Sequence, residues 1–154
     1  MDLVLSEVET FTPTKPAPIR VSSGKVSSPV THCVHATDWH IGQRTNPNHV
    51  EEFGAFNLQL AEARIAKFAE RVIHQTEVMR GSYNVDTCHI LGTADWISGD
   101  IHDELIRTAE VPAPVQAVRA GYLLGGFAYQ LSAHFERVVV DAMTAGNHDQ
   151  RPIS

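Results

Sequence analysis

Three short stretches of this chain combine carboxylate, imidazole and amide side chains, the groups that bind metal ions in hydrolytic enzymes. Asp38 and His40 are one residue apart and follow an apolar run. Asp95 ends a second apolar run, and Asn147 and His148 follow a third. A carboxylate and an imidazole at this spacing can bind the same ion, but an isolated Asp-x-His pair is common by chance. The order of the three stretches makes the combination specific.

The elements that must position these side chains alternate along the sequence. Apolar runs predict buried strands over residues 31–37, 87–93 and 138–143, and helical periodicity predicts long helices over about 56–79 and 115–135. Strand, helix, strand, helix, strand is a βαβαβ unit with right-handed parallel crossovers. Functional loops of such sheets lie at the carboxyl ends of the strands, where all three stretches fall. The fold class is therefore α/β, a mostly parallel sheet flanked by two long helices.

Apolar residues at three- and four-residue spacings predict the buried face of each helix. Gly125 and Gly126 inside the second helix lower its intrinsic propensity by roughly 1 kcal/mol each, so close packing or a kink is expected there. The predicted core positions are Leu58, Ala61, Ile65, Phe68, Val72 and Ile73 in the first helix and Leu123, Leu124, Phe127, Leu131 and Phe135 in the second.

Taken together, the three stretches resemble the calcineurin-like metallophosphoesterase superfamily. Residues 37–43 are similar to the first motif of SbcD-type DNA-repair exonucleases. Residues 95–105, and the segment from Phe56 to Arg64, look more like phage-encoded metallophosphoesterases. The resemblance extends over residues 30–149 and implies the βαβαβ half of an αββα sandwich.

The resemblance also implies roles for the five side chains. Asp38 and His40 would bind the first of two metal ions, Asp95 would bridge both ions, and Asn147 would bind the second. His148 would stabilise charge on the phosphoryl group or protonate the leaving oxygen. Two ions ~3.5–4 Å apart provide a strong nucleophile and neutralise phosphoryl charge. Mixed oxygen and nitrogen ligands favour Mn²⁺, with Fe or Zn²⁺ as alternatives.

Further residues near the motifs are candidates for supporting roles. Asp100 competes with Asp95 for the bridging position, and Asp95 is preferred because it directly ends the apolar run. His102 and Arg44 are candidates to contact the substrate or to order the loops around the ions. Ala94 stands where the family usually has glycine, so its methyl group is expected to crowd the loop.

Composition limits the partners of this chain. Its formal net charge is −6, whereas proteins that bind duplex nucleic acid through a general surface field are usually basic, so any DNA contact must be local or supplied by a missing region or a partner. The two cysteines, Cys33 and Cys88, fall in predicted buried strands and are interpreted as core residues of a protein in a reducing cytoplasm. No run of ~18 apolar residues is present, so no membrane partner is expected.

The expected organisation is one truncated domain. Residues 1–28 are rich in proline, serine and threonine and predict a flexible segment, followed by a metallophosphoesterase domain over 29–154. The family completes its site with histidines well beyond the Asn-His motif, and the sequence does not contain them. An uncovered sheet face would then be a large apolar patch that favours association with a missing C-terminal half or with a second copy.

The function predicted from the sequence is metal-dependent hydrolysis of phosphoesters. The expected protein is a phage-type phosphodiesterase or DNA nuclease in the cytoplasm of a phage-infected or bacterial cell. One alternative is a phosphatase or small-molecule phosphodiesterase of the same superfamily. The other is an inactive fold fragment that acts only by association, because the missing ligands leave open whether the isolated chain is an enzyme.

Overall fold

The computed structural model describes residues 29–45, 54–144 and 146–148. The segment over 1–28, predicted to be flexible, lies outside the described residues. In chain order the elements are β1 (Pro29–Ala36), α1 (Leu58–Arg80), β2 (Asn84–Thr93), α2 (Asp103–Thr108), α3 (Ala113–Ser132) and β3 (Arg137–Met143).

The three strands form one parallel sheet in the order β1-β2-β3. Val34 pairs with Ile90, and Ile90 pairs with Val140, so the strands run in step and end at the same edge of the sheet. This confirms the predicted α/β class with a parallel sheet and helices. The edge that carries the carboxyl ends is also the edge at which the three polar stretches begin.

Helix α1 begins where the sequence supplies a capping side chain. The Asn57 side chain accepts a hydrogen bond of 2.8 Å from the backbone N–H of Leu60, which satisfies one of the free donors of the first turn. The next free donor, the N–H of Leu58, donates to the Glu110 carboxylate at 2.7 Å. The predicted stripe is confirmed in its buried members, Leu58, Ala61, Ile65 and Val72, with Phe68 and Ile73 partly buried against the same core.

Helix α3 also buries its predicted stripe, with Phe127 and Leu131 fully covered. Phe135 is buried as well, but it follows the helix, which ends at Ser132. Of the two alternatives predicted at Gly125 and Gly126, close packing is wrong, because a methyl group added at either position would meet nothing within 4 Å; a kink in the helix stays a prediction. The other two predicted positions are partly buried against the core, Leu123 and Leu124.

The two faces of the sheet differ in burial. One face packs against the core and includes Val34, Cys88 and Ile90. On the other face every described residue is exposed or half-exposed, and Cys33 lies there, so its predicted burial is wrong. Strand alternation gives this second face the residues Thr31, Cys33, His35, Thr87, His89, Leu91, Thr93, Arg137, Val139, Asp141 and Met143.

That exposed face mixes polar side chains with apolar ones such as Leu91, Val139 and Met143. His89 shares a hydrogen bond of 2.6 Å with the Asp141 carboxylate, and His35 shares one of 2.6 Å with the Thr93 hydroxyl. These polar residues interrupt the apolar surface that the sequence predicted for this face. Among the described helices, none has the length and hydropathy to cross a bilayer.

Candidate functional site

The site lies at the carboxyl edge of the sheet, where backbone hydrogen bonds join the loops after β1 and β2. The N–H of His40 donates to the carbonyl of Asp95 at 3.1 Å, and the N–H of Ile41 donates to that of Trp96 at 2.9 Å. The N–H of Ser98 returns a bond of 3.0 Å to the carbonyl of Ile41. The two loops therefore continue side by side past the ends of their strands, and they carry Asp38, His40 and Asp95 together.

Both loops hold their polar residues in an unfavourable backbone conformation. The φ angles are 55° at Asp38, 44° at His40, 72° at Ala94 and 53° at Asp95. Among the described residues these are the only non-glycine positions with positive φ. Such a conformation costs about 1–2 kcal/mol per residue, and it persists only where the surrounding structure enforces it. Strain of this kind concentrates at active sites and ligand-binding sites, so its position indicates function at this edge.

The side chains of Asp38 and His40 face each other. Nε2 of His40 lies 3.6 Å from Oδ1 of Asp38. Two ligands that each stand about 2.0–2.2 Å from one ion can be at most about 4.3 Å apart, so this separation suits a shared metal ion. The hydroxyl of Thr37 lies 2.7 Å from Oδ2 of Asp38 and 2.9 Å from the carbonyl of Thr93. Thr37 thus ties the Asp38 carboxylate to the end of β2.

Residues 146–148 bring the third stretch to the same place. The backbone N–H of His148 donates to Oδ1 of Asp95 at 3.2 Å. The rings of His40 and His148 meet edge to face, with centroids 4.6 Å apart. Gly146 is required by this approach, because a Cβ there would overlap Oδ1 of Asp95. The edge therefore gathers Asp38, His40, Asp95 and His148, while Asn147 is exposed beside them.

The hydrogen bond of the His148 ring fixes which nitrogen is available for chemistry. Nδ1 lies 2.8 Å from the carbonyl of Ser98, an acceptor only, so Nδ1 carries the proton and donates. In the neutral ring Nε2 is then the unprotonated nitrogen. Ser98 itself is buried, and the bond to His148 is partly buried.

The fit of these residues to a metal is partial. The donors are carboxylate oxygens and imidazole nitrogens, and the separation of Asp38 and His40 suits one ion. However, within the part of the chain that the structure describes, no group of three or more His, Cys, Asp or Glu residues is arranged to hold a metal ion. The amide of Asn147 is not among those residue types, and Asp149 lies outside the described residues.

The remaining predicted residues lie outside this cluster. Asp100 is half-buried and lines a separate cleft with residues from the start of α3, so the structure places Asp95, and not Asp100, against His148. His102 is exposed at the start of α2, where its side chain makes no capping hydrogen bond. Arg44 is exposed. The described residues show no contact between these three side chains and the Asp38–His40 pair.

A buried glutamine, which the sequence analysis did not identify as part of the site, contacts the site loops. Gln116 is fully buried in the first turn of α3. Its Oε1 accepts from the N–H of Gly99 at 2.9 Å, and its Nε2 donates to the carbonyl of Val111 at 2.8 Å. Gly42, after the His40 loop, packs so closely on Gln116 that a side chain there would overlap it. One polar side chain therefore contacts both loops.

An aromatic cluster links the loops to the core. Trp39 and Trp96 each follow a candidate ligand aspartate, and their rings meet edge to face at 5.0 Å. Trp39 also packs edge to face on Phe127 at 6.1 Å, and Phe127 stacks on Phe68 at 5.1 Å. The indole N–H of Trp96 donates to the carbonyl of Met143 at 2.7 Å, which joins the β2 loop to the end of β3.

No family model matches the chain, and no curated protein or solved structure matches it either. A functional assignment therefore depends on the geometry described above and on the sequence resemblance.

Proposed function

We propose that this chain carries the metal-binding edge of a phage-type, calcineurin-like metallophosphoesterase that hydrolyses phosphodiesters, with DNA as the expected substrate. The observation that carries the proposal is the convergence of Asp38, His40, Asp95 and His148 at the carboxyl edge of a parallel sheet. All three sequence stretches needed for such a site contribute to it. The left-handed backbone at Asp38, His40 and Asp95 supports the proposal, because strain of this kind concentrates at active sites and ligand-binding sites.

In this proposal each residue has a defined task. Asp38 and His40 would hold one ion, Asp95 would bridge to a second, and the amide oxygen of Asn147 would complete the set from this chain. Mn²⁺ is the expected metal, with Fe or Zn²⁺ as alternatives. When bound, the ions would supply a nucleophile from water at neutral pH and neutralise phosphoryl charge.

His148 would act on the substrate through Nε2. Because Nδ1 donates to the Ser98 carbonyl, a second proton taken up by the ring resides on Nε2. That proton can pass to the leaving oxygen, or remain on the ring as a positive charge beside the phosphoryl oxygens. The rigid carbonyl of buried Ser98 keeps the ring oriented for either role.

Proton NMR with substoichiometric Mn²⁺ tests whether this edge binds the ion. The paramagnetic ion should broaden the ring signals of His40 and His148 first, and those of His74 and His134, which lie in and just after the helices, much less. Asp38→Asn should abolish this preferential broadening of the His40 and His148 signals, whereas Asp103→Asn, at an exposed aspartate of α2, should preserve it. Uniform broadening of all histidine signals in the wild type would contradict the proposal and favour a non-catalytic fragment that acts by association.

A phosphatase or small-molecule phosphodiesterase is the second candidate. The net charge of −6 favours it, because an acidic surface repels a long nucleic acid more strongly than a small ester. Hydrolysis rates on single-stranded DNA, an aryl phosphodiester and an aryl phosphomonoester, each with Mn²⁺, separate the candidates. A preference for the monoester would replace the nuclease assignment with a phosphatase.

A further inference from the structure

A small cleft next to Asp38 is separate from the contacts of His148 described above. It has a volume of about 200 Å³ and is lined by Asp38, Trp39, Phe56, Ala61, Arg64 and Ile65. Its walls are the loop after β1 and the first turns of α1. Pockets for whole ligands usually measure about 300–1,000 Å³, so this cleft suits one unit of a longer substrate.

Arg64 supplies the positive charge of the cleft. Its guanidinium stacks over the Phe56 ring at 5.4 Å from the centroid, which holds the planar group in one orientation. Three cations of the described helices are paired: Lys67 with Glu70, Arg80 with Glu77, and Arg119 with Glu62. Arg64 has no ion pair within the described part of the chain. Within that part, its recorded side-chain partner is the Phe56 ring, which leaves the edge of the guanidinium able to bind a ligand.

The stacking platform under Arg64 is anchored to the site. The N–H of Thr45 donates to the carbonyl of Phe56 at 2.9 Å, and the two residues form an isolated antiparallel bridge. Thr45 belongs to the same loop as Asp38 and His40. Phe56 is therefore positioned relative to the candidate ligands by backbone bonds, and Arg64 stacks on its ring.

We propose that this cleft binds one nucleotide unit of a phosphodiester chain, with its phosphate on Arg64 and its sugar and base against Trp39 and Ile65. The assignment rests on the proposed function, because the adjoining phosphate would then lie at Asp38. A guanidinium binds phosphate through two parallel hydrogen bonds, so it recognises the group by geometry as well as by charge. The positive charge of Arg64 also provides a local attraction for phosphate on a chain whose net charge of −6 repels nucleic acid in general.

Asp38 gives the cleft a dependence on cations. Its carboxylate lines the same space and, without a bound ion, repels a phosphate. Binding of a nucleotide chain should therefore strengthen when Mn²⁺ is added. Asp38→Asn removes the repelling charge together with a metal ligand, so this variant should bind the chain without Mn²⁺ and should no longer respond to the ion.

The test is the dissociation constant of a single-stranded tetrathymidylate, measured by tryptophan fluorescence with and without Mn²⁺, because Trp39 lines the cleft. Arg64→Gln should weaken binding by about 10- to 100-fold, the range for a lost hydrogen bond to a charged group. The affinity of Arg64→Lys should lie between those of the wild type and Arg64→Gln. The matched control is Arg71→Gln, an exposed arginine of the same helix outside the cleft, which should change binding less than about twofold.

Three results would overturn this assignment. They are unchanged binding in Arg64→Gln, an equal loss in Arg71→Gln, and an affinity for inorganic phosphate equal to that for tetrathymidylate. Failure of the proposed metal site would give a different result from failure of the proposed cleft. Without the metal site, Mn²⁺ would not change tetrathymidylate binding, but Arg64→Gln would still weaken that binding in the Asp38→Asn background.

Discussion

The face of the sheet that packs on the helices and the edge where the strands end are built on opposite principles. On the covered face Val34, Ile90 and Phe127 are buried in regular strands and a regular helix. At the edge Asp38 and Asp95 adopt left-handed backbone conformations that L-amino acids avoid. The difference teaches that the core provides stability and that the edge uses part of it to hold polar groups in a fixed arrangement.

The largest effect should come from the residue that joins the two regions. Phe127 is buried and contacts both Phe68 and Trp39. Phe127→Ala should lower the free energy of unfolding by about 3–5 kcal/mol in urea denaturation, because it leaves a cavity in the core. Tyr129→Ala on the same helix, at a side chain that is 80% exposed, should change it by less than about 0.5 kcal/mol. Equal losses in both variants would show that α3 does not pack as described.

The next effect concerns the polar support of the edge. Gln116→Ala leaves the N–H of Gly99 and the carbonyl of Val111 without their partners. The loss of stability should be about 1–3 kcal/mol, the cost of an unsatisfied buried group. Gln130→Ala, an exposed glutamine of the same helix, is the control and should be nearly neutral. A neutral Gln116→Ala would mean that the loops hold their shape without this side chain.

Ala94→Gly should act in the opposite direction. With φ at 72°, Ala94 occupies a conformation that glycine adopts without strain. Removal of the backbone strain should stabilise the folded state by about 1–2 kcal/mol, and the greater flexibility of the unfolded chain should offset about 0.4–1 kcal/mol of this. The free energy of unfolding should therefore rise by roughly 0.5–1 kcal/mol. Ala63→Gly, at an exposed position in α1, should instead lose about 1 kcal/mol. A loss in both variants would remove the evidence for strain at the edge.

The smallest effect is a pH dependence that belongs to the covered face. Burial lowers the pKa of His32 below its ordinary value of 6.5, and the ring shares a hydrogen bond of 2.8 Å with buried Thr76. Because the unfolded chain then binds the proton more strongly, this contribution to stability is complete above about pH 6.5 and is lost as the pH falls below it. The free energy of unfolding, measured by denaturation at pH 7.5 and at pH 5.5, should change less between these two pH values in His32→Gln than in the wild type.

Much of the fold could be predicted from the sequence, because periodicity reports burial directly. The parallel βαβαβ order and both helical stripes were predicted from apolar spacing, and the carboxyl-edge position of Asp38, His40 and Asp95 followed from that order. Burial on the second face of the sheet was predicted wrongly at Cys33, since an apolar run does not show whether one face or both are covered. Close packing at Gly125 and Gly126 was predicted wrongly for a related reason. Helix propensity gives the energetic cost of a glycine in a helix, but it does not show which residues surround that glycine.

The supporting parts of the site could not be predicted, because they depend on long-range contacts. Gln116 and Arg64 are ordinary polar residues of helical segments in the sequence, and only the fold places them beside Gly99 and Asp38. Ala94 did carry a signal. Its occurrence where the resembled family has glycine corresponds to a positive φ in the structure, a conformation in which the methyl group of Ala94 comes close to the following carbonyl oxygen.

Calorimetric titration with Mn²⁺ tests the central claim most directly. Wild-type protein should bind the ion, and Asp38→Ala and Asp95→Ala should each weaken binding by about tenfold or more, since even residues that merely orient metal ligands contribute about 10- to 100-fold. Asp103→Ala, at an exposed aspartate of α2, should bind as the wild type does. Absence of binding by the wild type, or equal binding by Asp38→Ala, would contradict a metal site at this edge of the sheet.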